Sequence, residues 1–167
     1  MIQNGIDMKI TTFSDCALRI LIYLAVNDDE VASAREIAAR YAISFHHVAK
    51  VAQWLVHQGH VSATRGKGGG LKLARAPQDI KIGDVIRQAE AGTGLVECMR
   101  KRGKFCAIEA SCGLASILDE ARNAFFDTLD RYSLADATVE RGAIAHLLSL
   151  DEILYCPSSY KSEQSTA

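Results

Sequence analysis

The run Arg65-Gly66-Lys67-Gly68-Gly69-Gly70 lies between two short β-prone segments, 61–64 and 71–74. A glycine-rich connection between such segments predicts a hairpin. The same run excludes a nucleotide phosphate loop, which requires Ser or Thr after its lysine and opens a helix. Here neither residue follows Lys67, and a strand follows the glycines.

Three helical patterns precede the hairpin. Phe13, Ala17, Leu18, Leu21 and Leu24 recur at helical spacing and predict a helix over 13–26, capped by Ser14 or Asp15. Ser33-Ala34-Arg35-Glu36 has the spacing of a capping box and opens a short helix through Ile37, Ala38 and Tyr41. Ser44 then caps a third helix running to about residue 58, whose apolar stripe is Val48, Val51, Ala52 and Leu55. His46, Lys50, Gln53 and His57 lie opposite that stripe, with His47 and Trp54 at its edges, and Gly59 is a helix terminator. Three helices, the last two joined by a short turn, followed by a basic hairpin make a winged helix-turn-helix. The third helix offers His46, His47, Lys50 and Gln53 to a major groove. The wing offers Arg65 and Lys67 to the backbone or the minor groove.

The charge distribution agrees. The chain as a whole carries a net −1, yet residues 35–75 hold seven basic side chains (Arg35, Arg40, Lys50, Arg65, Lys67, Lys72, Arg75) against one acidic, Glu36. A basic block within an otherwise acidic chain is the electrostatic footprint of nucleic-acid binding.

The second half carries a different chemistry. A short helix is expected over 82–90, then a flexible Ala91-Gly92-Thr93-Gly94, then Cys98, Cys106 and Cys112 within fifteen residues. Thiolates suit iron–sulfur clusters, zinc or Cu(I). The C-x7-C-x5-C spacing fits zinc poorly, because structural zinc sites bring two ligands two to four residues apart. A larger inorganic core fits better. The intervening Arg100, Lys101, Arg102 and Lys104 favour thiolate over thiol. The other reading of the spacing is three unligated cysteines, with Cys106 and Cys112 simply buried. A long amphipathic helix follows over about 113–131, with Leu114, Ile117, Leu118, Ala121, Phe125 and Leu129 on one side. It can fold back on its own domain or pair with a second copy. Ser133-Leu134-Ala135-Asp136 caps a last helix near 134–139, and the polar stretch 155–167, with Cys156, is expected to be disordered, as is a short extension over 1–7. No apolar run reaches the length of a membrane span, and the first residues lack a signal peptide's pattern, so a cytoplasmic protein with reduced thiols is expected.

Met8 to Arg19, the wing with its Arg65-Gly66-Lys67-Gly68-Gly69-Gly70-Leu71, Ile82-Gly83-Asp84-Val85, the three cysteines and Asp130-Arg131-Tyr132-Ser133-Leu134-Ala135-Asp136 together resemble the Rrf-two family of iron–sulfur winged-helix transcriptional regulators, and within it the nitric-oxide-sensing branch. The similarity covers about residues 8–140. It implies a mainly α fold with a small β wing, divided into a DNA-binding domain over 8–80, a connecting helix and cluster loop over 81–112, and a dimerisation helix with a following short helix over 113–140. It implies a homodimeric repressor on a palindromic operator in double-stranded DNA, with nitric oxide as signal. Cys98, Cys106 and Cys112 would hold a [4Fe-4S] cluster, or else a [2Fe-2S] cluster, with Asp15 of the partner subunit as fourth ligand. On its own, a carboxylate at a helix start is a cap or a dipole partner. Cys16 lies beside it, where the family commonly has an aromatic or aliphatic residue, and the seven-residue first gap equals that of iron-responsive relatives.

Three competing functions remain open at this level: a regulator of iron or cluster status, a thiol redox protein, and a DNA-binding protein without a cofactor. No CxxC, nucleotide motif or catalytic base supports an enzyme.

Overall fold

The computed structural model describes residues 9–27, 30–66, 68–99 and 106–148. The expected extension over 1–7, the tail over 155–167 with Cys156, Lys67 and the basic residues 100–104 lie outside the described residues.

Helix α1, Thr12–Val26, is the central element. Cys16, Ala17, Ile20, Leu21, Tyr23, Leu24 and Ala25 are all buried along it, because it packs against four other helices and a strand. Its N-cap is Thr11, whose hydroxyl accepts from the Ser14 amide at 3.2 Å. The sequence pointed to Ser14 or Asp15 for that role. Ser14 instead donates its hydroxyl to Glu90 at 2.5 Å, a partner far along the chain.

Helix α2, Ala34–Arg40, starts at Ser33, which accepts from the Glu36 amide at 3.1 Å, the serine half of the expected capping box. Oε1 of Glu36 accepts from the buried Tyr23 hydroxyl at 2.7 Å, tying α2 to α1 and satisfying a phenol that burial would otherwise strand. The turn into helix α3, Phe45–His57, passes through Ala42 at φ 52°, a left-handed conformation that costs a residue with a Cβ. Ser44 is the N-cap residue of α3, as expected, but makes no side-chain capping bond to it. The apolar stripe is as expected: Val48, Val51, Ala52 and Leu55 are buried in the shared core with Ile20, Leu21 and Ile37. Gly59, at φ 72°, ends the helix.

Strands β1, Val61–Ala63, and β2, Leu71–Leu73, pair antiparallel, Val61 opposite Leu73 and Ala63 opposite Leu71. Ala32 adds a one-residue bridge on the other side of Leu71, with bonds of 3.0 and 2.8 Å. The wing's glycines are needed where backbone comes close. A Cβ at Gly69 would overlap the Thr64 carbonyl oxygen, and one at Gly70 would lie 2.9 Å from that of Ala32.

Helix α4, Ile82–Ala89, α5, Leu114–Leu129, α6, Leu134–Ala137, and α7, Arg141–Leu148, complete the chain. The Ser133–Asp136 capping box is present in full. The expected last helix ends early, at Ala137, and α7, which the sequence reading did not foresee, follows it and packs against α1. The start of α4 is stitched to the α5–α6 link by Ile82 N–H to Tyr132 O at 3.0 Å and Leu134 N–H to Ile80 O at 2.8 Å. There Gly83 faces Asp130, and a Cβ at 83 would overlap Asp130 Oδ1, an oxygen that is buried and has no hydrogen-bond partner. Asp130 Oδ2 accepts from Arg87 at 2.7 Å, and the Arg87 guanidinium sits 4.7 Å over the Phe126 ring. No described helix is long and apolar enough to cross a membrane.

Candidate nucleic-acid interface and sensor loop

The outward face of α3 presents His46, Lys50, Gln53 and His57, all exposed, because the buried stripe fixes the helix's rotation. His47 sits differently. It is half-buried, its Nε2 lies 3.3 Å from the Thr12 carbonyl oxygen, and its ring meets Phe13 edge-on at 6.5 Å. Phe13 also meets Trp54 edge-on at 5.2 Å, so two residues of α3 lean on the start of α1. Phe45, absent from the sequence-derived candidates, opens α3 partly exposed, with the Arg35 guanidinium 4.9 Å from its ring centre.

In the wing, Arg65 and Lys72 are exposed. Arg75, counted in the basic block, is exposed but bonded within the chain: its Nε donates to Gly59 O at 3.2 Å and its terminal nitrogen lies 3.2 Å from His60 Nδ1. His60 is buried, and its Nε2 is 3.1 Å from Gln88 Oε1 on α4. Burial pushes its pKa below the usual 6.5, against the opposing bond to Gln88 and with the help of Arg75. The ring is therefore neutral at pH 7, with Nδ1 accepting from Arg75 and Nε2–H donating to Gln88. His60 thus fastens the base of the wing to α4.

The three cysteines follow α4. Cys98 lies in a 3-10 turn, Glu97–Met99; Cys106 opens a turn whose carbonyl accepts from the Glu109 amide at 3.1 Å; Cys112 ends a second 3-10 turn, Glu109–Ser111. All three are free and partly exposed, neither disulfide-bonded nor buried. Among the described residues no three His, Cys, Asp or Glu side chains are drawn together as a metal site. The donor set itself fits a thiolate-ligated iron–sulfur group: three accessible thiols on one connecting segment, the chemistry such a group takes. Cys16 is the contrast. It is 1% exposed, and burial, with Asp15 beside it, pushes its thiol up to about 11, so it stays protonated.

Asp15 is not the cap of α1. It sits in the first turn, half-exposed, paired with Arg19 at 2.9 Å, and Arg19 also reaches to 5.7 Å over the Tyr41 ring. Glu90, which the sequence reading passed over, joins the two halves of the candidate site. Its Oε1 accepts from Thr11 N–H and Thr11 Oγ1, each at 2.8 Å, and from Ser14 Oγ at 2.5 Å; its Oε2 accepts from Thr93 at 3.1 Å. Desolvation acts to raise its pKa, but the bonds from Ser14, Thr11 and Thr93 prevail and hold it below 4.5. One carboxylate thus clamps the entry of the cysteine segment to the end of α1 that carries Asp15.

With this arrangement in view, the chain compares closely with known proteins. A family model described as Rrf2, iron-dependent transcriptional regulator, matches residues 10–140. The HTH-type transcriptional regulator NsrR of Bacillus licheniformis is 41% identical over 143 residues, 85% of this chain and all of that protein. The NsrR of Bacillus subtilis is 39% identical over 146 residues, 87% of this chain and all of that protein. Among solved structures, IscR of T. potens superposes with a TM-score of 0.61 at 27% identity, covering 80% of this chain and 88% of IscR.

Proposed function

Since the chain belongs to the Rrf2 family of transcriptional regulators and is NsrR-like within it, we propose that it is a cytoplasmic, homodimeric repressor whose hold on a palindromic operator is governed by an iron–sulfur cluster that senses nitric oxide. The observation that carries this reading is the set of three free, partly exposed thiols directly downstream of the Glu90 clamp. Cys98, Cys106 and Cys112 would hold the cluster, [4Fe-4S] in preference to [2Fe-2S], and the partner's Asp15 would complete it. When bound, the cluster supplies iron that nitric oxide can attack.

The chain's own contacts supply the coupling. Glu90 ties the cysteine segment to Thr11 and Ser14. From there Thr12 reaches His47, and Phe13 reaches Trp54, so a shift at the start of α1 is felt along α3. His46, His47, Lys50 and Gln53, with Arg65 and Lys67 of the wing, are the proposed DNA contacts. None of the residues of α5 is fully buried, and Leu114 and Ile117 are 51% and 63% exposed, which supports pairing of α5 with a second copy.

Anaerobic purification with iron and sulfide analysis tests the assignment. Cys98→Ala, Cys106→Ala and Cys112→Ala should each lose iron and visible absorbance, and Cys16→Ala should keep both. Retention in any of the first three would refute the ligand set. The family description, iron-dependent, favours a second reading as a regulator of iron status. Titration of the DNA-bound protein separates the two. Release at a few nitric oxide molecules per cluster supports the first; release by mild chelation, with indifference to nitric oxide, supports the second.

A further inference from the structure

We propose that Phe45 and Arg35 form a reader of thymine methyl groups at the head of α3. The inference deepens the DNA-binding reading and rests on it. The polar face of α3 explains His46, Lys50 and Gln53 but not an aromatic ring at the helix's first residue. Phe45 is 38% exposed, although the core lies one turn away and takes Val48. Its ring is not loose: the Arg35 guanidinium from α2 lies 4.9 Å from its centre, and His46 flanks it at 5.5 Å with the rings inclined by 61°. A ring with a cation and an imidazole packed against it presents an apolar surface where the first residues of a recognition helix meet base edges.

In the major groove the C5-methyl of thymine is the apolar group among the base edges, and Phe is one of the side chains suited to it. Arg35 plays a positioning part. Stacked on the ring, its guanidinium is oriented for a neighbouring phosphate, so a backbone contact and a base contact are delivered as one unit.

The test uses the full-length protein, purified anaerobically, to select duplexes from a randomised DNA pool. The tightest duplex is then resynthesised with each thymine in turn replaced by deoxyuridine, which lacks only the methyl. The expected result is a thymine in each half-site whose replacement weakens binding about fourfold, the worth of burying one methyl-sized group. Phe45→Ala should bind the thymine and deoxyuridine duplexes equally, and Phe45→Leu should keep part of the preference. A purely structural role for Phe45 would lower both affinities together and leave their ratio unchanged. Wild-type protein that binds every deoxyuridine duplex as tightly as its parent, or Phe45→Ala with an undiminished ratio, would overturn the proposal. Failure to enrich any duplex would instead bring down the DNA-binding reading and this one with it.

Discussion

Glu90 and Ser14 stand 76 positions apart in sequence and share a 2.5 Å hydrogen bond. That bond, with the two from Thr11, adds a long-range tie to the local cap that Thr11 already gives the start of α1. The clamp therefore has a measurable stability. Glu90→Ala removes the acceptor of four hydrogen bonds, leaves the Thr11 amide without its partner, and should cost about 2–3 kcal/mol, read as a lowered melting temperature. Glu90→Gln keeps an acceptor and should cost less. The pH dependence follows from the lowered pKa. A carboxylate held below its ordinary 4.5 in the fold contributes stability that is complete above that value and lost as pH falls through the lowered one. Melting temperatures recorded on the acid side should fall less steeply for Glu90→Gln than for wild type.

Gly83→Ala should destabilise the fold by about 1–3 kcal/mol, because the new methyl meets Asp130 Oδ1. The cost should shrink when Asp130→Ala is added, although that change also removes the partner of Arg87. A double-mutant cycle on chemical denaturation checks this, and simple additivity would show that the two positions do not meet.

Ala42→Gly should raise stability. Ala42 holds φ 52° in the turn between α2 and α3, where a Cβ costs about 1–2 kcal/mol and glycine does not pay it. Part of that gain is offset by the greater freedom of glycine in the unfolded chain, leaving a net of about 0.5–1 kcal/mol. Thermal unfolding of the variant beside wild type measures the difference.

Arg65→Ala should weaken binding across all DNA sequences and lower the slope of affinity against salt by about 1. His46→Ala and Gln53→Ala should instead change sequence preference, by about 1–3 kcal/mol at the base each contacts. Fluorescence anisotropy over a salt series, on matched and mismatched duplexes, distinguishes the two kinds of effect.

What was legible in the chain was what its neighbours along the chain decide. The Val48, Val51, Ala52, Leu55 stripe sets the rotation of α3 from four residues in one helix. The glycine run forces a hairpin because Gly69 and Gly70 touch backbone. Ser33 and Ser133 cap helices three residues from their partners. The missed features are long-range or weakly marked. Glu90 finds Thr11 across 79 positions, which no local pattern announces. Ala32 joins the sheet through a single residue. α7 contains Gly142, which weakens its helical pattern, and the sequence reading stopped near 139, short of it. The type and spacing of the three cysteines made them candidate ligands, and the described residues do not draw them together.

The last turn of α4 holds two tethers. Gln88 grips His60 at the root of the wing, and Glu90 grips Thr11 and Ser14 at the head of α1. Successive residues of a helix turn by about 100°, so positions two apart face nearly opposite sides. The two tethers therefore leave the end of α4 on opposite sides, one toward the wing and one toward the head of α1. The wing and the head of α1 are thereby both anchored to one helix of eight residues, and the cysteines follow directly after it.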